Sequence, residues 1–307
     1  MSLFNEIINN KKTEVELAKK SRPAEELLKM VSENRSRHVF RSLKKSIDDV
    51  TRKYGFGIIG EIKKKSPSMH SMDANNVEKA LEVYNRFPII NSISVLTDEK
   101  YFGQTIYDLE NISKNTNKPV LRKDFIVDEY QILEAKAFGA DAILLMSSVH
   151  KNSPSKFHDL YNYARSIDLE VLIEFGMECT PNIDFIPKSA ELFGINSRGF
   201  KKNAAGWLMS FFFEKDASTN KNRHFQLIKK LTGIIGQNKT IIAESGIDNP
   251  VELDKLLMEG YSGALIGTGF LKRERIQDTV NSFSAYINKN YKKNSVSLKT
   301  QSQYAKV

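Results

Sequence analysis

At 307 residues the chain could form two ordinary domains or one large α/β unit of about 250 residues, and length alone does not choose between them. With 40% hydrophobic and 27% charged residues it has the composition of a globular protein, and no apolar run approaches the roughly 18 residues of a membrane span, which excludes a membrane partner. The net charge of +9 comes from Lys and Arg scattered among Asp and Glu with no sustained basic stripe, so nucleic acid is not expected as a partner; surplus positive charge would suit a small anionic substrate.

In chain order, MSLFNEIINNKKTEVELAKK alternates apolar and polar residues at helical spacing and lacks the continuous apolar core of a secretory leader, so a cytoplasmic location is expected. Residues 1–50 are predicted as one or two helices, an N-terminal extension packing on the main body of the fold. Residues 51–290 then carry eight short apolar runs: GIIGEIK (57–63), SISVLT (92–97), KPVLRK (118–123), DAILLM (141–146), LEVLIEF (169–175), ELFGIN (191–196), KTIIAES (239–245) and SGALIGT (262–268). Near-continuous apolar runs of this length are what parallel strands buried on both faces require. Amphipathic segments separate them. Val77, Ala80, Leu81 and Tyr84 share one helical face; Ile132, Ala135 and Phe138 share another, ended by Gly139; Asp248 or Asn249 can cap a helix with Pro250 in its first turn and Gly260 at its end; Ile276, Val280, Phe283 and Ile287 mark the last helix. Strand and helix alternating eight times predict a (β/α)8 TIM barrel.

Taking Lys63, Thr97, Lys123, Leu145, Glu174, Asn196, Glu244 and Gly267 as strand ends, the intervals run from 22 to 34 residues except the sixth, which is 48 and predicts an enlarged loop and helix after strand six. That segment holds WLMSFFF (207–213), read as buried helix or core rather than an interaction patch. Residues 291–307 lack apolar periodicity and are predicted to be disordered. The single Cys179 permits no internal disulfide, and no cluster of Cys and His has metal-ligand spacing, so no metal is expected.

Because strand side chains alternate, Glu61 and Lys63 point to one side, as do the pairs Leu121 and Lys123, Leu172 and Glu174, Gly194 and Asn196, and Ile242 and Glu244. In the last four pairs the first residue is apolar or glycine, and the ionisable or amide group comes second, at the strand's C-terminal end. One strand-terminal lysine or glutamate reads as a solvated end. Five strands delivering Glu61, Lys63, Lys123, Glu174, Asn196 and Glu244 to one rim predict a barrel active site with acid and base groups. After the last two strands, Ser245 with Gly246 and Gly267 with Thr268 are candidates for cradling a phosphate through backbone N–H groups.

The stretches GEIKKKSPS, SISVLTDEKYFGQ, KPVLRKDFIVDEYQILEAKAFGADAILLM, VLIEF, GINSR, IIAESGI and ALIGTGFL, taken together and in this order, resemble the indole-3-glycerol phosphate synthase family from the opening helix to about Leu271. The resemblance implies a cofactor-independent carboxy-lyase of tryptophan biosynthesis. Such an enzyme converts 1-(2-carboxyphenylamino)-1-deoxy-D-ribulose 5-phosphate to indole-3-glycerol phosphate, carbon dioxide and water. It assigns the acid to Lys123 with Lys63 close by, the base to Glu174, and orienting roles to Glu61, Asn196 and Glu244, leaving open which lysine serves which step. Ser66 and Arg198 would meet substrate anions, Phe102, Phe125 and Leu144 would wall the anthranilate ring, and Ser245, Gly246, Gly267 and Thr268 would hold the phosphate. A small phosphorylated molecule is the expected partner, and the protein itself a monomer or weak homodimer. The chain departs from the family pattern at Met69 and His70, in FGMECTPN after Glu174, at Gly199 and Phe200, and at Thr268, where a smaller residue or Ser is usual. The alternatives are the same chemistry on a ring-substituted anthranilate adduct, and a silent barrel that binds a phosphate ligand or a protein.

Overall fold

Every one of the eight apolar runs forms a strand: β1 Gly57–Ile62, β2 Ile90–Leu96, β3 Val120–Lys123, β4 Ala142–Met146, β5 Glu170–Phe175, β6 Leu192–Asn196, β7 Thr240–Glu244 and β8 Gly263–Ile266. They pair in parallel and in sequence order, and β8 closes on β1 through Gly57 with Gly263 to Gly60 with Ile266. The computed structural model describes residues 3–34, 39–67, 71–176, 179–197, 201–202, 209–210, 217–236, 239–272 and 275–291. The expectations for Met69, His70, Arg198, Gly199, Phe200, most of the WLMSFFF segment and residues from 292 onward fall outside these. No helix among the described residues is long and apolar enough to cross a membrane.

Nearly every strand residue is buried, which explains the near-continuous apolar runs: one face meets the surrounding helices and the other fills the barrel. Ile59, Leu121, Leu172, Ile242 and Leu265 fill the interior, and two residues further along the same face come Glu61, Lys123, Glu174, Glu244 and Gly267. The interior is thus apolar below and ionisable at the C-terminal rim.

Three helices precede the barrel where one or two were expected: α1 Leu3–Ser21, α2 Ala24–Asn34 and α3 Leu43–Tyr54, the last running past residue 50. Ser42 caps α3 by accepting from Lys45 N, and Gly55 ends it in the left-handed conformation (φ 83°). Leu43 and Ile47 of α3 join the barrel interior from the strands' N-terminal end. There Thr51 Oγ1 donates to Ser262 O (2.9 Å), Ser46 Oγ to Asn91 O (2.6 Å) and Ser42 Oγ to Glu170 Oε1 (2.7 Å). Just ahead of α3, Arg41 clamps the fully buried Asp141, donating Nε to Oδ2 at 2.8 Å. The bottom of the barrel is therefore plugged, and the rim carrying the ionisable groups is the open end. At that rim lies α1, whose Phe4 and Ile7 pack with Phe102 and Phe125.

Several local expectations shift. On the Ala74–Arg86 helix Ala80 and Tyr84 are buried with Val83, while Val77 and Leu81 are only partly covered. The helix assigned from Glu252 is preceded by a turn in which Asn249 caps as expected, its Oδ1 accepting from Val251 N (3.2 Å), while the Glu252 carboxylate accepts from Asp248 N (2.7 Å) and Asn249 N (3.1 Å). The long sixth interval holds a short antiparallel pair, Lys201–Lys202 with Met209–Ser210, and the helix Ala217–Ile235. Ile276, Val280, Phe283 and Ile287 are all buried on the last helix, as their spacing predicts.

Candidate active site

At the open end a cleft of about 780 Å³ is lined by Glu61, Lys63, Lys123, Glu174, Asn196 and Glu244, so the six groups expected at one rim do converge. Strand register brings them together: Asn196 is beside Glu244, and Glu174 beside Gly194. Glycine at 194 is what makes room. A Cβ there would stand 2.1 Å from Glu244 Oε1, and one on Gly267 would stand 2.2 Å from Glu61 Oε1. One position in β6 and one just after β8 thus give up their side chains so that neighbouring carboxylates can enter the interior.

The Lys123 ammonium donates to Glu244 Oε2 at 2.7 Å and to Glu174 Oε2 at 3.0 Å, and Asn196 Nδ2 donates to Glu174 Oε1 at 3.4 Å. Lys63 is paired with Glu61. Burial opposes the charge on Lys123, but Glu174, Glu244 and Glu61 outweigh it and hold the ammonium above the usual lysine value. Burial pushes Glu244 up to about 8, against the pull of Lys123 and with the help of the Glu174 charge. Burial thus favours the protonated form of Glu244 beside the Lys123 ammonium. A proton donor (Lys123), an acceptor (Glu174) and a shared hydrogen-bond network stand within one cavity, the constellation of general acid–base work.

One wall is apolar: Leu96, Phe102, Phe125, Leu144 and Met146. Phe102 and Phe125 face each other with ring centroids 6.4 Å apart and an interplanar angle of 33°, and Phe4 of α1 meets Phe125 edge-on at 6.3 Å. The opposite wall is built from the segments after β7 and β8. Ser245 (φ 73°) and Gly246 (φ 77°) are both left-handed, which turns this backbone into the cleft. Gly269 packs so closely on Ile247 O that a Cβ would lie 2.3 Å from it, and Lys272 Nζ donates to Asp248 Oδ1 at 2.6 Å, so the two segments lie against each other. Thr268 Oγ1 is buried with no hydrogen-bond partner, a donor left for a ligand oxygen.

Of the other expected residues, Leu144 lines the cleft, Ser66 is buried but off the cleft wall, and Arg198 lies outside the described residues. Sequence reasoning did not single out Leu96, Met146, Asp124, Ile247, Asp248 or Gly269 as lining residues. Only the alternation rule could have found Leu96 and Met146, each of which ends a strand beside a catalytic candidate. Among the described residues no group of His, Cys, Asp and Glu has the arrangement of metal ligands.

Comparison with known proteins gives one family, indole-3-glycerol phosphate synthase, whose profile matches residues 4–283. A protein of that name from Thermoanaerobacter pseudethanolicus is 36% identical over 287 residues, covering 93% of this chain and 97% of the relative. Relatives of the same name from Aliarcobacter butzleri and Bacteroides thetaiotaomicron are 34% and 31% identical, covering 93% and 92% of this chain and 100% and 97% of their own.

Proposed function

Because the chain belongs to the indole-3-glycerol phosphate synthase family, we propose that its cleft closes the indole ring of indole-3-glycerol phosphate from 1-(2-carboxyphenylamino)-1-deoxy-D-ribulose 5-phosphate. The observation that carries the reading is the Lys123 ammonium held between Glu174 and Glu244 at the foot of a cleft with one aromatic wall and one glycine-lined wall. The phosphate is received by Ser245, Gly246, Gly267 and Thr268, and the anthranilate ring by Phe102, Phe125 and Leu144.

The ring carbon bearing the carboxylate attacks the ketone carbon, and the oxygen takes a proton from Lys123 as negative charge develops. Carbon dioxide then leaves and its electron pair restores the aromatic ring. Loss of the new hydroxyl as water needs an acid at that oxygen and a base for the departing proton. Glu174 is the base, and Lys63, oriented by Glu61, is the second ammonium within the cleft. Asn196 and Glu244 orient Glu174 and Lys123 through their hydrogen bonds to them. Ser66 and Arg198 are assigned to substrate anions on the family resemblance. A helical extension over residues 1–50, a cytoplasmic location and a monomeric or weakly dimeric state belong to the same proposal.

Incubation with the carboxyphenylamino-deoxyribulose phosphate, monitored by indole fluorescence, tests it. Turnover is expected, and Lys123→Ala should lose about 10²- to 10⁴-fold in kcat. Undiminished turnover by Lys123→Ala would remove that residue from the mechanism. Binding without turnover by the wild type would favour a silent barrel, and preference for a ring-substituted analogue would move the substrate to that class.

A further inference from the structure

Lys11 is an ordinary-looking lysine in a helical run, yet its side chain is almost wholly buried, at 4% exposure for the residue. From α1 it reaches Asp98 Oδ2 at 3.0 Å, Asp124 Oδ1 at 3.0 Å and Glu14 Oε2 at 2.8 Å. Each aspartate sets one face of the aromatic slot. Asp98 caps the short helical turn Glu99–Phe102, its Oδ1 accepting from Tyr101 N at 2.9 Å, and so fixes where Phe102 points. Asp124 Oδ1 accepts from Phe125 N at 2.8 Å, and its Oδ2 is held by Arg122 and Thr97. The Phe102 carbonyl in turn accepts from the backbone N–H groups of Lys64 and Lys65, each at 3.1 Å, bracing the segment just after Lys63.

We propose that Lys11 is a specificity-determining positioning residue: by tying Asp98 to Asp124 it sets the separation of Phe102 and Phe125, and with it the width of the slot that receives the substrate's aromatic ring. The inference rests on the proposed role of the cleft in ring closure. Two buried aspartates of like charge repel each other, and although Arg122, Thr97 and backbone N–H groups hold each one locally, the Lys11 ammonium is the counter-charge within 3.0 Å of both. Burial works against the charge on Lys11, but Asp124 and Asp98 outweigh it, so the ammonium stays charged across the physiological range. Lys11 touches neither Lys123 nor Glu174, so its loss should act on ring binding and leave proton transfer largely intact.

The test is steady-state kinetics of Lys11→Met and Lys11→Arg with the unsubstituted substrate and with analogues methylated on the ring. Lys11→Met, which keeps the length of the side chain without its charge, should raise KM about tenfold or more while kcat stays within about threefold, and should narrow the preference between the unsubstituted and methylated rings. Lys11→Arg should recover much of the KM. A folded Lys11→Met with wild-type KM and wild-type ring preference overturns the inference, as does an equal fall in kcat and kcat/KM. Should Lys11→Met fail to fold, Asp98→Asn, which keeps the capping oxygen but not the charge, should raise KM about threefold with kcat unchanged; an unaltered KM there overturns it too. Wild-type turnover separates the two readings. If the wild type does not turn over, the reaction assignment falls, and the slot is tested by equilibrium binding of anthranilate, which Lys11→Met should weaken about tenfold.

Discussion

At the foot of the cleft burial favours a protonated Glu244. A carboxyl raised from 4.5 to about 8 binds its proton more tightly folded than unfolded, so its contribution to stability is complete at low pH and is lost as pH rises from 4.5 through about 8. Binding depends on pH in the same direction, because ionised Glu244 would add a negative charge where an anionic substrate must enter. The expected kcat/KM falls as pH rises through about 8, and Glu244→Gln, slower at every pH, should lack that limb; an identical high-pH limb in the variant would assign it elsewhere. Gly194 carries a second prediction at this scale. A methyl group there would stand 2.1 Å from Glu244 Oε1, and the carboxylate cannot retreat without loosening its 2.7 Å bond to Lys123. Gly194→Ala should therefore reduce kcat by between about tenfold and about 100-fold and lower unfolding stability by about 1–3 kcal/mol, measured by steady-state kinetics and denaturant titration. Neither the need for glycine at 194 nor the burial of Lys11 can be read from sequence. Both depend on neighbours brought in from distant parts of the chain: Glu244 on β7 for the first, Asp98 and Asp124 for the second.

Strands were the most legible elements, because a strand buried on both faces must be apolar at most positions, and alternation then assigns its terminal polar group to the interior. Helices were legible where the apolar face is narrow, as over Ile276 to Ile287, and less so where burial is nearly complete: on the helix Glu129–Ala137 even Gln131 and Glu134 are buried, so periodicity says little about facing. The element that sequence reading underestimated is α3. Its run LKKSIDDVTRKY is mostly polar, yet Leu43 and Ile47 pack into the barrel floor, and its serine and threonine hydroxyls bond backbone at strand starts tens to hundreds of residues away. The clamp leading into α3 should be a stability determinant without being a catalytic one. Arg41 N and Nε both donate to Asp141, which also accepts from Val120 N at 2.8 Å, and the guanidinium reaches Thr116 O at 2.7 Å and Ser113 Oγ at 2.9 Å. Arg41→Ala leaves a fully buried carboxylate short of its counter-charge, and unfolding titrations should show a loss of about 3–5 kcal/mol. Because the clamp sits at the opposite end of the barrel from the cleft, KM and kcat of the folded variant should match the wild type; a kinetic defect at full folding would mean that the floor and the rim communicate.

At the scale of the whole molecule, the cleft draws Lys63 from just after the first strand, Lys123 and Glu174 from the middle, and its glycine-lined wall from the last two strands, so a bound ligand bridges the seam where β8 meets β1. A ligand that binds only the closed barrel stabilises it by mass action, about 2.7 kcal/mol at a free concentration 100 times Kd. For a chain of this size that corresponds to a rise of roughly 5 °C in apparent Tm. Thr268 allows the source of this gain to be located, because its hydroxyl is buried with no partner of its own. Without ligand, an unpaired buried hydroxyl costs about 1–3 kcal/mol, so Thr268→Val should leave the free protein as stable as the wild type or more so. With indole-3-glycerol phosphate present the order should reverse, since the variant offers the phosphate one hydrogen bond fewer and its affinity drops. Thermal scans of both proteins with and without the phosphorylated product measure the two signs in one experiment. A Thr268→Val protein that is less stable alone, yet gains as much from the ligand as the wild type, would show that the hydroxyl serves the fold and that the phosphate is held elsewhere.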